Sequence, residues 1–181
     1  MSDPIIIESY KPEWPAQFRA IAEPIRAALG DIAKRIDHIG STAVVGLDAK
    51  PVIDLQISVA ALEPSDSFVV PMQSLGYRFQ ADNPERTKRY FREPAGQPRI
   101  HIHVRQHGSW SEQFALLFRD YLRENPRESK AYAYHKHSLA TKYRNDRAAY
   151  VLAKDPIIWQ IIRRANDWSQ EMGWQSGPSD A

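Results

Sequence analysis

The 181-residue chain contains no cysteine, which excludes disulfides, thiolate catalysis and cysteine metal sites. It also lacks any apolar run near the ~18 residues that a membrane-crossing helix requires, so no membrane partner is expected. Its first residues, Met1-Ser2-Asp3-Pro4, place no basic stretch ahead of an apolar one. No secretory signal is read there, and a cytoplasmic protein is the expectation. Internal repeats, low-complexity tracts and dividing linkers are absent too. This predicts a single domain over residues 1–172, long enough for a real core, and a Gly/Ser/Pro-rich tail at 173–181 predicted to be disordered. A strong excess of charge is missing as well: the net charge of +2 gives no ground for expecting a nucleic-acid partner.

What is present has the make-up of a soluble globular protein, with 43% hydrophobic and 25% charged residues. Ile5-Ile6-Ile7 is a β-prone lead-in. Phe18, Ile21, Ile25 and Leu29 recur at three- and four-residue spacing and predict a helix from Trp14 to Leu29, stopped by Gly30. Arg35 to Ile39 and Val52 to Val59 read as strands, Ser67 to Leu75 as a helix. Tyr77 to Gln80, Thr87 to Arg92 and Arg99 to Arg105 read as three further strands, the last two joined by the turn Pro94-Ala95-Gly96-Gln97-Pro98. From Ser109 onward the pattern is helical: Ser111 to Leu122, Arg127 to Tyr143, Ala148 to Ala153, and a helix opened by Asp155-Pro156 and running through Trp168. The Trp and Phe residues at helical spacing read as core. Strands with interspersed helices followed by a helical half predict an α+β fold with a mixed sheet.

The stretch from His38 to Ile57 carries the most chemistry. An apolar strand ends on Gly40-Ser41, and Thr42-Ala43, Gly46 and Ala49-Lys50-Pro51 lead to a second strand with Asp54 inside it. A Gly-Ser at a strand-to-helix junction leaves backbone N–H groups free for phosphate, with a helix N-terminus behind them. A carboxylate about a dozen residues later, on the neighbouring strand, can hold the divalent metal that phosphate chemistry needs. Neither Gly-Lys-Ser/Thr nor G-x-G-x-x-G occurs, so this is neither a P-loop nor a dinucleotide fingerprint. Alternation puts Asp54, Gln56 and Ser58 on one strand face, and Arg99, His101 and His103 on one face of a later strand. Neutral imidazole suits Zn²⁺, Mn²⁺ or Ni²⁺ better than Mg²⁺. Asp54 with two histidines would form a two-His-one-carboxylate site if the strands are adjacent, and histidines merely hydrogen-bonded on a half-exposed strand fit the same pattern. His103 also fits a general base with a pKa near working pH. Between Arg86 and Arg105 stand Arg86, Lys88, Arg89, Arg92, Arg99 and Arg105 against only Glu93. They read either as a solvated basic hairpin or as a basic wall facing polyphosphate. His135 and His137, two apart on a helix, point away from one another and make no joint metal site.

The sequence resembles the GrpB family, within the nucleotidyltransferase-like superfamily related to DNA polymerase beta. The resemblance rests on Gly40-Ser41-Thr42-Ala43, Gly46, Ala49-Lys50-Pro51 through Asp54, Arg99-Ile100-His101-Ile102-His103-Val104, Phe118-Arg119-Asp120-Tyr121-Leu122-Arg123, and Tyr150 with Lys154, and it runs from about Ile5 to Ala165. It implies a nucleotidyltransferase-like mixed β-sheet flanked by helices, with a helical C-terminal half. It also implies that Gly40, Ser41 and Thr42 meet the terminal phosphates of a nucleoside triphosphate. Lys50, Arg99, Arg119, Lys136 and Lys154 are then candidates to close over the same phosphates. The superfamily's usual pattern has two acidic residues two apart, chelating two metals. This chain has Asp54 and then Gln56, whose amide oxygen can ligate Mg²⁺ but brings no charge. The superfamily's third acidic position corresponds here to His101 or His103.

The resemblance therefore implies a nucleotide-binding protein that transfers a nucleoside monophosphate to an acceptor. Asp54, Gln56 and His103 are its catalytic candidates, and Asp54, His101 and His103 its metal candidates. The expected cofactors are Mg²⁺ or Mn²⁺, with Zn²⁺ as an alternative, and a nucleoside triphosphate as ligand. The expected partners are a nucleotide or other small phosphorylated molecule and an unidentified acceptor or protein. Two alternatives stand beside it: a non-catalytic accessory module that binds a nucleotide or phosphometabolite, which suits the fusion of some relatives to dephospho-coenzyme A kinase, and a metal-dependent hydrolase using Asp54 and the strand histidines.

Overall fold

Two opposite faces of one sheet, one apolar and one polar, organise this molecule. In the computed structural model, which describes residues 4–181, helix α1 spans Trp14–Leu29 and strands β1 and β2 span Ala33–Ile39 and Ile53–Val59. Helix α2 follows at Asp66–Ser74, then strands β3 (Arg78–Phe79), β4 (Lys88–Arg92) and β5 (Ile100–Gln106). Helices α3 (Trp110–Glu124), α4 (Pro126–Lys142) and α5 (Arg147–Met172) complete the chain. The sheet order is β1-β2-β5-β4-β3, with β2 and β5 parallel and the other neighbours antiparallel. A mixed sheet flanked by N-terminal helices, with a helical C-terminal half, is the architecture the sequence predicts.

Period-two alternation explains the faces. Ile53, Leu55, Ile57, Ile102, Val104 and Phe91 pack with Phe18, Ala22, Ile25 and Leu29 of α1, one apolar stripe against one apolar sheet face. The register places Asp37, Gln56, His103 and Tyr90 side by side on the other face, with Asp54 and His101 in the next row. Helix α3 lies against β1 and β5 and packs with α4 and α5, whose common core includes Leu117, Tyr121, Tyr132 and Ile161. The polar face is therefore largely enclosed, and its side chains must find partners or a ligand.

Several local expectations change. Residues 5–7 form no strand of the sheet; the lead-in is tied by a lone bridge between Glu8 and Ala49. Ser41–Ala43 is a single 3₁₀ turn, so no helix dipole stands behind Gly40-Ser41. The two helices read on either side of Asp155-Pro156 are one helix, α5, with Pro156 inside it. An interior proline costs about 3 kcal/mol, and burying Ile161 and Ile162 against α3 recovers about 1.5–3 kcal/mol per side chain. Trp110 and Trp159, read as core, are 67% and 49% exposed. The tail at 173–181, expected to be disordered, lies along β1, whose outer edge has no other strand. Ile36 N–H donates to Ser179 Oγ at 2.8 Å, His38 N–H to Asp180 Oδ2 at 2.9 Å, and Ala181 N–H to Ile36 O at 3.1 Å. Open strand-edge groups outweigh a disorder-prone composition.

Candidate metal and phosphate site

Parallel pairing of β2 with β5 sets Asp54 opposite His101 and Gln56 opposite His103. Asp54, His101 and His103 then converge. His101 Nδ1 lies 2.9 Å and His103 Nε2 3.8 Å from the same Asp54 Oδ1, and one donor atom from each residue lies within 4.8 Å of the other two. Gly40 makes this possible from the β1 side. Its φ is +72°, and a Cβ there would stand 2.7 Å from Asp54 Oδ2. Only glycine combines that backbone with that approach. Burial pushes the Asp54 carboxyl up, but hydrogen bonds and charge from His101 and His103 together outweigh it and hold it well below the usual carboxylate range. Burial lowers His103 to about 4, against the pull of Asp54, so its imidazole is neutral at pH 7. That removes the expected pKa near working pH and suits a ligand better than a base. One carboxylate and two imidazoles form a donor set that fits a divalent ion of the Zn²⁺ or Mn²⁺ type more closely than Mg²⁺.

Opposite these residues stand cations from the helical half. A cavity of about 340 Å³ is lined by Asp54, His101 and His103 on the sheet side, Ser41, Thr42 and Lys50 from the connecting segment, and Lys136, Arg147, Tyr150 and Lys154 from α4 and α5. Lys136 Nζ donates to Ser41 Oγ at 2.9 Å and to the Asp48 carbonyl. Burial, then Lys154, lowers its pKa to about 7 against the pull of Asp48, with Lys50 adding to the depression. Lys50 and Lys154 flank one ring, 5.2 and 5.3 Å from the Tyr150 centroid. Burial, then repulsion from Lys154 and Arg147, lowers Lys50 to about 8. The Tyr150 hydroxyl is buried without a hydrogen-bond partner. Four cationic side chains face one carboxylate that already has two histidines beside it. Such a cavity favours a polyanion. Larger clefts open elsewhere, including one of about 470 Å³ beside α1, but the described residues place no other cluster of metal-ligating groups.

The structure thus brings together Asp54, His101, His103, Ser41, Thr42, Lys50 and Lys136, with Gly40 directly behind Asp54. Thr42 Oγ1 is engaged by His38 Nε2 at 3.0 Å and by the Val52 carbonyl at 3.3 Å, so its hydroxyl pins the turn. Three expected residues lie elsewhere. Gln56 is fully buried: its Oε1 accepts from Arg105 at 2.5 Å and its Nε2 donates to the Glu112 carbonyl at 3.4 Å, so both ends of its amide are already engaged. Arg119, 2% exposed, donates to Asp120 at 2.7 Å, to Asp180 at 2.9 Å and to the His38 carbonyl at 3.1 Å, and so knits α3 to β1 and the tail. Arg99 lines an adjoining cleft instead of the cavity. The basic wall largely dissolves, because Lys88 pairs with Glu85, Arg89 with Glu63 and Arg92 with Glu93. Arg147 was not legible as a site residue, although one signal existed: it is a cation in the first turn of a helix, where the macrodipole disfavours it.

A mixed five-stranded sheet with a Gly-Ser turn after its first strand, a carboxylate on the next and a helical half closing over both defines a protein of nucleotidyltransferase-like fold. The model of the GrpB protein family matches residues 4–164, and the chain belongs to the GrpB family. It is 40% identical over 169 residues to the UPF0157 protein PA4798 of Pseudomonas aeruginosa, covering 92% of this chain and 69% of that protein. It is 35% identical over 199 residues to a dephospho-CoA kinase of Mycolicibacterium paratuberculosis, with 95% of this chain but only 48% of the kinase covered, so it spans about half of that protein's length. Among solved structures, the conserved protein GrpB from Enterococcus faecalis superposes with a TM-score of 0.81 at 31% identity, covering 90% of this chain and 99% of that one. The Cid1 poly(U) polymerase superposes with a TM-score of 0.55 at 13% identity, over 81% of this chain and 49% of that one, a likeness of fold alone.

Proposed function

We propose that this protein binds the polyphosphate chain of a nucleoside triphosphate together with a divalent ion, and passes the nucleoside monophosphate to an acceptor. The observation that carries this reading is the single cavity in which Asp54, His101 and His103 face Lys50, Lys136, Lys154 and Arg147. A bound divalent ion supplies charge for polarising phosphoryl oxygens and offsetting the leaving pyrophosphate. The chain's own groups do the rest. Lys136 and Ser41 orient the terminal phosphates, Lys50 and Lys154 offset their charge, and the neutral His103 stays a ligand. An acceptor oxygen attacks the α-phosphorus, the bond to pyrophosphate breaks, and the acceptor's proton leaves to solvent.

The test is calorimetric titration of ATP and GTP, with and without Mn²⁺ or Zn²⁺, into wild type and Asp54→Asn. Wild type is expected to bind at least about tenfold tighter with metal, and the variant to lose that gain, since even outer-shell changes cost 10–100-fold in metal affinity. Equal affinities in the two proteins overturn the reading. A specific observation favours a second one: Gln56, at the superfamily's second acidic position, is committed to Arg105 and Glu112. That suits a non-catalytic nucleotide-binding module acting beside a partner. Labelled ATP separates the readings. Transfer of label to an acceptor supports the first, and release of free phosphate supports the hydrolase alternative. Binding without turnover supports the module.

A further inference from the structure

A second cleft of about 200 Å³ adjoins the cavity and shares Lys50, Val52 and Arg147 with it. Arg99 lines it as well, with Pro51, Ile5 and Glu8. Among the described residues, the one carboxylate on its lining is Glu8, which is engaged by Lys11. Arg99 and Arg147 have no ion-pair partner among the described residues, and burial and then the Arg99 charge lower the Arg147 pKa. Arg92, the next guanidinium to act on Arg147, is already paired with Glu93.

Arg147 is held in this place at a cost. It is the first residue of the 26-residue helix α5, no acidic side chain follows in the first turn, and the preceding Asp146 is spent capping the Ala149 N–H at 2.9 Å. A cation at the positive end of a helix dipole is unfavourable unless something anionic sits against it. One turn further along α5, the buried and unpartnered Tyr150 hydroxyl belongs to the wall of the adjoining cavity and not to this cleft. The division of labour follows from side-chain chemistry. The cavity's lysines are point charges suited to an extended polyphosphate, whereas two forked guanidinia suit the terminal oxygens of one phosphate group.

We propose that this cleft is a second anion site, which holds the phosphate group of a separate phosphorylated molecule beside the nucleotide, so that the acceptor is itself a phosphate ester. The inference rests on the nucleotide reading above and narrows its second reactant. It is tested by titrating phenyl phosphate calorimetrically into protein saturated with Zn²⁺ and an ATP analogue that cannot be cleaved. Wild type is expected to take up one equivalent. Arg99→Ala, at an exposed position where the fold is not at stake, is expected to weaken the ester at least about tenfold, the effect of losing one charge-assisted contact, and Arg99→Lys to recover part of it. Two results overturn the proposal: an ester that binds empty protein but not the loaded form, or one that ignores both Arg99→Ala and Arg147→Ala. If the analogue does not bind while the ester still binds through Arg99, the second site stands and the nucleotide reading falls.

Discussion

A Cβ at Gly40 would stand 2.7 Å from Asp54 Oδ2, and this close approach makes Gly40 more than a turn residue. Its backbone, at φ +72° and ψ −170°, lies in a region that is essentially glycine's own. An alanine there would be strained and would meet the Asp54 carboxylate, which could yield only by leaving His101 and His103. Gly40→Ala is expected to cost about 1–3 kcal/mol of stability in urea unfolding and to abolish stoichiometric Zn²⁺ uptake in the protein that still folds. Retention of Zn²⁺ in that variant would show that Asp54 is not the ligand. At this scale alternation along β2 and β5 makes the site legible, because strand faces are written locally: Asp54, His101 and His103 follow from it. Gln56 and Arg119 do not, because their partners, Arg105, Glu112, Asp180 and the His38 carbonyl, are remote in sequence. The same local patterns fit a metal-facing glutamine and a buried structural one.

Elements show the opposite balance between local and distant information. Helix α1 is read to its ends from apolar spacing, and the strands come within a residue or two, since each is bounded by its own turn residues. Helix α5 is misread because Asp155-Pro156 is a strong local signal for a new start, while the force that carries the helix through it lies in α3. Pro156 is exposed, so it contributes little packing to set against its missing N–H and ring clash. Pro156→Ala is therefore expected to stabilise the protein by about 1 kcal/mol or more, read as a higher midpoint in thermal and urea unfolding. An unchanged or lower midpoint would mean that the proline's fixed backbone angle is itself needed for α5 to place Lys154 and Tyr150 on the cavity. In that case ligand affinity should fall with stability.

Across the whole molecule, a modest net charge of +2 conceals a strong internal separation, with cations gathered from the segment before β2, from α4 and from α5 around one carboxylate. The α+β architecture is legible because it needs only the order of periodicities. The gathering of charge is not, because it depends on how the helical half closes over the sheet. Its consequence can be measured through pH. Lys136 and Lys50 lie at about 7 and about 8, below their ordinary value of 10.5, chiefly through burial. Between those values and 10.5 the unfolded chain binds more protons than the folded one, so stability of the free protein should rise with pH across that interval. The penalty of burying two charged lysines is complete below about 7 and is relieved progressively from there up to 10.5. Polyphosphate reverses the preference, since it binds the charged lysines. The rise in melting temperature produced by tripolyphosphate is thus expected to be large at pH 7 and to shrink by pH 9, while the free protein's own melting temperature moves upward. At pH 8, calorimetry in buffers of different ionisation enthalpy should register proton uptake on binding. Lys136→Met should remove most of both effects. A stabilisation by tripolyphosphate that is the same at pH 7 and pH 9, in wild type and variant alike, would show that the anion binds away from these lysines.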